Sequence, residues 1–249
     1  MSRALVIPAA GAGTRLGSRV PKLLAPVLGR PMLEHLLDLY ADRVDRVVLV
    51  VAPSARAVVA SEWRRLARPL PLELAEQTEP TGMLDAVGIA AQRLRERPPE
   101  RVWITWCDQV AVLPETVAEL ARIEARSPEA ALVLPTAKRR DPYVHLVRAP
   151  GGEISAVLHR REGDLLPEEG ESDVGLFGLS AFAALDLLPR FAREAPRGRS
   201  SGERNFLELL PWLSRRARVE SFPARHETES VGINTPDDLV RVEAFLRGA

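Results

Sequence analysis

The stretch VIPAAGAGTRLGSRVPKLLAPVLGRPMLEHLL, residues 6–37, joins a short apolar run to a helical pattern through a glycine-rich segment. Residues 4–9 (ALVIPA) have the composition of a buried strand, and residues 32–42 have the apolar spacing of a helix. Three glycines between them allow left-handed backbone, or the close approach of another group, at no steric cost. A strand, a glycine loop and a helix in this order present backbone N–H groups and are typical of a phosphate-binding loop.

The spacing of these glycines, Gly11, Gly13 and Gly17, fits neither of two common phosphate loops. The dinucleotide fingerprint needs G-x-G-x-x-G, and the Walker loop needs Gly-Lys-Ser/Thr where this chain has Gly-Thr-Arg. The segment therefore predicts a third kind of phosphate loop, in which Arg15 and Lys22 supply the positive charge. Arg can bind phosphate oxygens through two hydrogen bonds, and Lys acts as a point charge. An ordinary strand–helix turn with surface cations is the alternative interpretation of the glycines alone.

Composition sets the class of protein and excludes several functions. The 249 residues hold 34 Lys plus Arg and 34 Asp plus Glu, so no overall basic field favours a nucleic-acid partner. The single cysteine, Cys107, excludes an intramolecular disulfide and fits a reducing compartment. No apolar run approaches the ~18 residues of a membrane helix, and arginines interrupt the start of the chain before a signal peptide can form. We expect a soluble, cytoplasmic protein with no membrane partner.

Short β-branched runs alternate with longer amphipathic runs over the first part of the chain. The strand-like runs lie at residues 4–9, 46–52, 71–77, 101–107 and 130–137. The helix-like runs lie at residues 32–42, 54–67 (with Ser54 as N-cap), 82–96 and 114–126. This order predicts an α/β fold, a Rossmann-like, mostly parallel sheet with helices on both faces. Ligands of such sheets bind beyond the carboxyl ends of the strands.

The pattern changes after Arg140 and predicts an inserted β-rich region. Residues 143–163 form two alternating runs around a Pro-Gly-Gly segment, which is typical of a hairpin. Residues 172–181 predict one further strand, and the polar residues 195–204 predict a mobile loop. In the closing segment Thr235 has the position of an N-cap, followed by proline as the first helical residue. We therefore expect a single domain over residues 1–249.

The first motif resembles the sugar-phosphate nucleotidyltransferases, also called nucleotide-sugar pyrophosphorylases. PAAGAGTRLGSRVPKLLAPVLGRPMLEH follows their A-A-G-x-G-T-R-L, Pro-Lys and Gly-x-Pro-Met pattern almost without gaps. QTEPTGMLDAV is similar to their Q-x-x-P-x-G-x-x-x-A segment, WITWCDQV to their apolar strand ending in Gly-Asp, and VGINTPDDLVRVEAFL to their closing Gly-x-Asn-Thr-Pro-Glu-Asp-Leu motif. The four motifs span residues 5–246 in the family's order. The resemblance divides the domain into a nucleotide-binding half (1–138), an acceptor-binding half (139–230) and a closing metal motif and helix (231–249).

The resemblance implies Mg²⁺-dependent transfer of a nucleotidyl group from an NTP to a sugar 1-phosphate or a similar phosphorylated acceptor, with release of pyrophosphate. It assigns catalysis to Arg15, which would hold the β- and γ-phosphates, and to Lys22, which would neutralise the α-phosphate and the acceptor phosphate. It places the nucleotide against Ala9, Ala10, Gly11, Ala12, Gly13, Thr14, Gln77, Thr81 and Gly82. The amide of Gln77 can offer a base edge both a donor and an acceptor. A solvated loop residue is the alternative interpretation of Gln77.

The resemblance also implies a magnesium site formed by Asp108 and Asn234, from the third motif and the closing motif. Mg²⁺ prefers hard oxygen ligands and retains several waters, so one carboxylate and one amide oxygen suffice. A strand-end turn is the alternative for Asp108, and a helix cap is the alternative for Asn234. Cys107 stands where the family often has glycine, and a buried structural role fits it better than a reactive thiol.

The acceptor side departs from the N-acetylglucosamine-1-phosphate uridylyltransferases of this family. Those enzymes read the sugar with a glycine, a glutamate in a V-E-x-K strand and an asparagine in an N-T-G strand. Here His159 stands for the glutamate and Asp173 for the asparagine, and the segment 143–145 lacks the glycine. These differences argue against an acetamido sugar, because mismatched hydrogen-bonding groups are costly. The predicted acceptor-binding residues are Tyr143, His159, Arg161, Asp173, Gly175 and Glu203, the last beside the loop 195–204 that we expect to close over substrate.

Other functions stay open at the level of sequence. A close variant is a cytidylyl- or guanylyltransferase for phosphocholine, molybdopterin or a polyol phosphate, and the CDQ segment resembles the Asp-Gln of molybdopterin cytidylyltransferases. A different class is a non-catalytic nucleotide-binding regulatory subunit, which would not need both cations and both metal ligands together. A metal-dependent glycosyltransferase requires Asp-x-Asp, which CDQV does not supply. Trp63 and Trp212 would mark the interface of a homo-oligomer if they are exposed, and partly buried core tryptophans are the commoner alternative.

Overall fold

The structure, a computed structural model, describes residues 1–11 and 20–248. Its strands are β1 (Arg3–Ala9), β2 (Pro26–Val27), β3 (Arg30–Pro31), β4 (Arg46–Val51), β5 (Leu72–Glu76), β6 (Arg101–Thr105), β7 (Leu132–Arg140), β8 (Val144–Arg148), β9 (Ile154–His159), β10 (Glu169–Asp173), β11 (Leu176–Ser180) and β12 (Val219–Pro223). Its α-helices are α1 (Met32–Tyr40), α2 (Arg56–Leu66), α3 (Met83–Leu94), α4 (Pro114–Arg126), α5 (Leu188–Glu194), α6 (Leu209–Ser214) and α7 (Pro236–Gly248).

A mostly parallel sheet forms the centre of the molecule. Its strand order is β10-β7-β11-β6-β1-β4-β5, and β12 pairs with β7. β1 pairs in parallel with β4 and β6, and β4 pairs in parallel with β5. β11 enters antiparallel between β6 and β7, so the second half of the chain adds strands to the same sheet. The predicted α/β class is therefore confirmed.

The sheet is covered by apolar side chains on both faces, and β1 shows why. Leu5 and Ile7 belong to one buried cluster, whereas Ala4 and Val6 belong to the other, because successive residues of a strand point to opposite faces. Helices α1, α2, α4 and α7 pack on the Leu5 face, and α3, α5 and α6 pack on the Val6 face. A fully buried leucine such as Leu36 of α1 contributes about 2 kcal/mol through burial.

One expectation about local structure was wrong, and one open alternative is decided. Residues Pro53–Ala55 form a short 3₁₀ turn, α2 begins at Arg56, and its N-cap is Ala55, so Ser54 does not cap this helix. Of the two alternatives for the tryptophans, core burial is the one observed, with Trp63 at 9% and Trp212 at 8% exposure. Each packs into one of the two core clusters. Neither residue therefore marks an exposed interface.

The single strand expected over residues 172–181 is two strands, β10 and β11. The strand is interrupted by a turn at Gly175. The φ of Gly175 is +68°, a left-handed backbone conformation that favours glycine. A Cβ there would lie 2.4 Å from Cγ of Gln109 and 2.6 Å from Cδ1 of Trp106. The backbone N–H of Trp106 donates to the Gly175 carbonyl at 3.1 Å, so this turn is hydrogen-bonded to the residue that follows β6. A strand pattern cannot show the break, because the apolar residues continue on both sides of it.

The hairpin and the closing helix form as expected. β8 and β9 pair antiparallel. At the start of α7 the Asp238 N–H donates to Oγ1 of Thr235 at 3.2 Å, and the Thr235 N–H donates to the Asp238 carboxylate at 2.8 Å. This reciprocal pair satisfies helix-end donors and fixes the segment before α7. Within residues 1–11 and 20–248, no helix has the length and apolar character needed to cross a membrane.

Candidate active site

The carboxyl ends of β1, β4 and β6 lie side by side at one edge of the sheet, because these strands are parallel neighbours. Ala9 ends β1, Ala10 follows it, and Gly11 is exposed at this edge. The next predicted nucleotide-binding residues, Ala12, Gly13 and Thr14, and the predicted catalytic Arg15 lie outside the described residues. The part of the site that the structure describes begins again with Val20.

Lys22, Asp108 and Asn234 meet at this edge, although they are far apart in the sequence. The Lys22 ammonium donates to Oδ1 of Asn234 at 2.9 Å and forms a close ion pair with the Asp108 carboxylate. The side chains of Lys22 and Asp108 are only 14% and 12% exposed. Water screens a pair with this exposure only in part, so the charges act strongly on each other and on a nearby phosphate.

The closing motif holds the two oxygen-bearing side chains in place. The backbone N–H of Ile233 donates to the Asp108 carbonyl at 3.2 Å, and Nδ2 of Asn234 donates to the Gly232 carbonyl at 3.1 Å. The backbone N–H of Asn234 donates to the Asp238 carboxylate at 3.0 Å. A Cβ at position 232 would lie 3.1–3.2 Å from the Asp108 carboxylate, so glycine at this position leaves that carboxylate room.

The oxygens of Asp108 and Asn234 fit a divalent cation of the magnesium type. Both accept hydrogen bonds from one ammonium group, so they converge on a single point where positive charge is stabilised. A carboxylate and an amide oxygen are hard ligands, which Mg²⁺ prefers, and phosphate oxygens and water commonly complete its octahedron. Among the residues that the structure describes, no group of three or more His, Cys, Asp or Glu side chains is arranged around a metal position.

Cys107 precedes Asp108 and is partly buried. Burial first, and the neighbouring Asp108 carboxylate second, together raise the pKa of the Cys107 thiol to about 12. A thiol with this pKa is protonated at neutral pH and is a poor nucleophile. The sequence-based preference for a structural cysteine agrees with this environment.

Gln77 lies at the same edge, just after β5, and it is buried rather than solvated. Its backbone N–H donates to the Val51 carbonyl at 3.0 Å. Its side-chain Nε2 donates to the Gly82 carbonyl at 3.1 Å and lies 3.4 Å from Oγ1 of Thr81. The solvated-loop interpretation of Gln77 is therefore wrong. The structure brings the predicted base-binding residues Gln77, Thr81 and Gly82 into one turn before α3.

His159 and Asp173, two of the predicted acceptor-binding residues, lie near each other, and both are buried. Burial raises the pKa of the Asp173 carboxyl, whereas the backbone N–H of Gly175, the nearby His159 and the Trp106 indole act to lower it. The Gly175 N–H donates to that carboxylate at 2.9 Å. His159 Nε2 lies 3.4 Å from Oε1 of Glu208. A buried carboxylate in this position can accept a hydrogen bond from a hydroxyl or an amine of a ligand.

The remaining acceptor-side residues lie nearer the surface. Arg161 donates two hydrogen bonds to Glu203, at 2.9 and 2.8 Å, so these two predicted ligands neutralise each other. Tyr143 is 44% exposed, and its backbone carbonyl accepts from the Arg160 N–H at 3.0 Å. The structure therefore pairs Arg161 with Glu203, and it places His159 near enough to Asp173 to act on its charge.

Comparison with known proteins decides the family. The sequence profile of the MobA-like NTP transferase domain matches residues 5–172, which include Lys22, Asp108 and the turn of Gln77. The chain belongs to this family. As a MobA-like NTP transferase domain it is a member of the nucleotidyltransferases, in agreement with the resemblance seen in its motifs.

The domain is also similar to individual proteins along its whole length. It is 34% identical to the bifunctional protein GlmU of Xanthobacter autotrophicus and 32% identical to that of Azorhizobium caulinodans, in each case over 98% of this chain and 53% of the relative. The chain thus spans about half the length of these curated relatives. A crystal structure of HddC from Yersinia pseudotuberculosis has the same fold, with a TM-score of 0.67, 17% identity, and coverage of 98% of this chain and 99% of that one.

Two further residues of this NTP transferase domain belong to the site, and the sequence analysis did not single them out. Trp106 packs against Phe177 and Phe206, with ring centroids 5.1 and 5.5 Å away, and its indole is directed to Asp173. Gly232 lies against the Asp108 carboxylate. The signal for both was their place near a predicted metal ligand, Trp106 two residues before Asp108 and Gly232 two residues before Asn234.

Replacing Gly82 by alanine is expected to destabilise this domain by about 2 kcal/mol or more. Its φ is +121°, and a Cβ there would lie 2.3 Å from the Arg204 carbonyl oxygen, so backbone would have to move. The matched control is Gly88→Ala, because Gly88 lies inside α3 with nothing within 4 Å of its added Cβ. That control should be stabilised by roughly 0.5–1 kcal/mol. Urea unfolding of both variants measures the difference, and equal midpoints would contradict the crowding at Gly82.

Proposed function

We propose that this protein transfers a nucleotidyl group from an NTP to a sugar 1-phosphate or a similar phosphorylated acceptor, in the presence of Mg²⁺. The observation that carries the proposal is the convergence of Lys22, Asp108 and Asn234 beyond the carboxyl ends of parallel strands. One cation and two hard oxygens at the edge where β1 ends are suited to a polyphosphate. The membership in the NTP transferase family supports the same reaction class.

In the proposed reaction an oxygen of the acceptor phosphate forms a bond to the α-phosphorus of the NTP. The bond from that phosphorus to the bridging oxygen breaks, and pyrophosphate leaves with the electron pair. A phosphate oxygen is already a nucleophile, so no general base is required. The chain's own contribution is to position the two phosphates and to offset their charge, which is the main source of catalysis in phosphoryl transfer.

Individual residues have distinct tasks in this proposal. Lys22 would bind the α-phosphate and the incoming phosphate, and Arg15 would bind the departing β- and γ-phosphates. Asp108 and Asn234 would hold Mg²⁺, which supplies Lewis-acid stabilisation of negative charge when bound. Gln77 would read the base from the turn before α3, where its amide is already fixed by the Gly82 carbonyl.

The acceptor pocket is proposed to exclude the acetamido sugar read by other members of the family. His159 and Asp173 replace the glutamate and asparagine of those enzymes, and both are buried here, at 5% and 8% exposure. A buried group that lacks its partner in the ligand carries a desolvation cost of roughly 1–3 kcal/mol. A different sugar 1-phosphate, or a non-sugar phosphate such as phosphocholine, molybdopterin or a polyol phosphate, is the proposed acceptor class.

The test is pyrophosphate release with Mg²⁺, with ATP, CTP, GTP, UTP and dTTP each paired with a panel of sugar 1-phosphates, polyol phosphates and phosphocholine. Release with one pair that is more efficient than with the others would establish the reaction and identify both substrates. Release with N-acetylglucosamine 1-phosphate as the best acceptor would contradict the argument from His159 and Asp173. Tight NTP binding by calorimetry without any transfer would favour the non-catalytic nucleotide-binding subunit instead.

A further inference from the structure

Residues 198–204, here called the bridging segment, bind the acceptor side of the molecule at one end. The Glu162 carboxylate accepts the backbone N–H groups of Ser200 and Ser201 at 2.8 and 3.2 Å. Arg161 donates to both oxygens of Glu203 at 2.8 and 2.9 Å. The bridging segment is therefore hydrogen-bonded to the turn that follows β9. The predicted acceptor-binding residues His159 and Arg161 lie at this turn.

The other end of the bridging segment rests on the turn that carries the predicted base-binding residues. The Arg204 N–H donates to the Thr81 carbonyl at 2.8 Å, and the Leu84 N–H donates to the Arg204 carbonyl at 3.1 Å. The two backbones are so close at Gly82 that a Cβ there would lie 2.5 Å from the Arg204 nitrogen. Backbone of the acceptor half thus forms one wall of the Thr81–Gly82 turn.

The side chain of Arg204 fixes this arrangement. Its guanidinium forms a close ion pair with Asp85 in the first turn of α3, and its Nη1 donates to the Ala192 carbonyl of α5 at 2.7 Å. The Asp85 side chain is 13% exposed and that of Arg204 is 31% exposed. A pair with this burial and an added backbone bond restricts the Arg204 backbone more than a solvated ion pair does.

We propose that Arg204 is a positioning residue that sets the geometry of the base-binding turn and connects it to the acceptor side. It acts through Gly82, because the Gly82 carbonyl is the acceptor for Nε2 of Gln77 at 3.1 Å. If the turn moves, the amide of Gln77 loses its fixed orientation. Nucleotide affinity and discrimination between bases then both fall. This functional consequence rests on the proposed function, whereas the mechanical connection does not.

The mechanical connection is tested without any ligand by hydrogen exchange. In Arg204→Ala the backbone bonds to Thr81 and Leu84 remain chemically available, so an increase in exchange that is larger here than in the rest of the protein reports the loss of the guanidinium contacts. We expect exchange of residues 81–86 to increase roughly tenfold, which corresponds to a moderate loss of local stability. Arg204→Lys retains the charge facing Asp85 and should restore part of the protection. Unchanged exchange at 81–86 in Arg204→Ala would overturn the proposal, whether or not the protein is a transferase.

The functional consequence is tested by NTP binding and steady-state kinetics on the same variants. For Arg204→Ala we expect KM and the dissociation constant of the preferred NTP to rise roughly five- to fiftyfold, within the range of site-to-site coupling. We expect kcat to change less than KM, and the affinity ratio between preferred and second-best base to fall. Arg204→Lys should recover part of the affinity.

The control is Arg218→Ala, which removes an exposed arginine paired with Glu129 and Glu220 at the start of β12, and it should leave KM and the base ratio unchanged. A merely structural Arg204 would lower the melting temperature and leave the base ratio at the wild-type value, and that result would overturn the proposal. Wild-type protein that binds none of the five NTPs would instead refute the proposed function, and hydrogen exchange would still decide the connection between Arg204 and the turn.

Discussion

Asp108→Ala is expected to lower the rate of nucleotidyl transfer by about a thousandfold, the effect of removing a group that stabilises charge in a transition state. Its carboxylate is one of two oxygens that converge on the Lys22 ammonium, so its loss removes the negative charge that favours a divalent cation there. Pyrophosphate release under saturating NTP and acceptor measures the effect. Mn²⁺ binding, followed by electron paramagnetic resonance, should weaken in parallel.

The Asp108→Ala variant should keep its fold, so a lower rate of transfer can be attributed to the lost carboxylate. The contact between Asp108 and Ile233 uses the Asp108 backbone carbonyl and survives the substitution. The matched control is Asp237→Ala, which removes an exposed carboxylate from the first turn of α7, close in sequence to Asn234. It should retain wild-type turnover. An Asp108→Ala enzyme with more than about a tenth of wild-type turnover would refute a metal role for Asp108.

The central sheet could be predicted because local pattern and strand direction determine it, whereas the assignment of Lys22 and Asp108 to one site was implied by the family resemblance. Buried β-branched runs alternating with amphipathic runs imply parallel strands, and parallel strands bring the residues after β1 and β6 to one edge. Asn234 was assigned to the same site by the resemblance of its motif, and only the N-cap Thr235 that follows it could be recognised from local pattern. Local pattern therefore accounts for the sheet and for the start of α7, and the resemblance accounts for the site.

The contacts between loops could not be predicted, because no periodic pattern records them. Gly82 was expected to let a nucleotide approach, but its open side faces the Arg204 backbone. Arg161 and Glu203 were predicted separately as acceptor ligands, and the structure pairs them with each other. Both contacts join segments more than 40 residues apart, so only the tertiary fold brings them together.

Lys22→Ala is expected to have two opposite effects, and this combination identifies its role. Nucleotidyl transfer should fall by about two to three orders of magnitude, because the ammonium that we propose to offset the charge of the α-phosphate and the attacking phosphate is lost. Mn²⁺ binding without nucleotide should tighten, by roughly tenfold. The second effect follows because the ammonium occupies the same carboxylate and amide oxygens that we propose as metal ligands.

The chain offers a sharp control for this prediction, since it contains two lysines and the second, Lys138, is exposed on β7. Lys138→Ala removes the same charge from the protein but leaves Asp108 and Asn234 paired with Lys22, so turnover and Mn²⁺ affinity should both stay at wild-type values. If Mn²⁺ affinity rises equally in both variants, the change reflects net charge and not competition for the two oxygens. If Mn²⁺ affinity is unchanged in Lys22→Ala, metal and ammonium do not share those ligands, and the cation binds elsewhere.

A rise in Mn²⁺ affinity that is confined to Lys22→Ala means that the Lys22 ammonium and the metal compete for Asp108 and Asn234. Lys22 must then leave these two side chains before the metal–NTP complex binds, and its ammonium is released to bind phosphate.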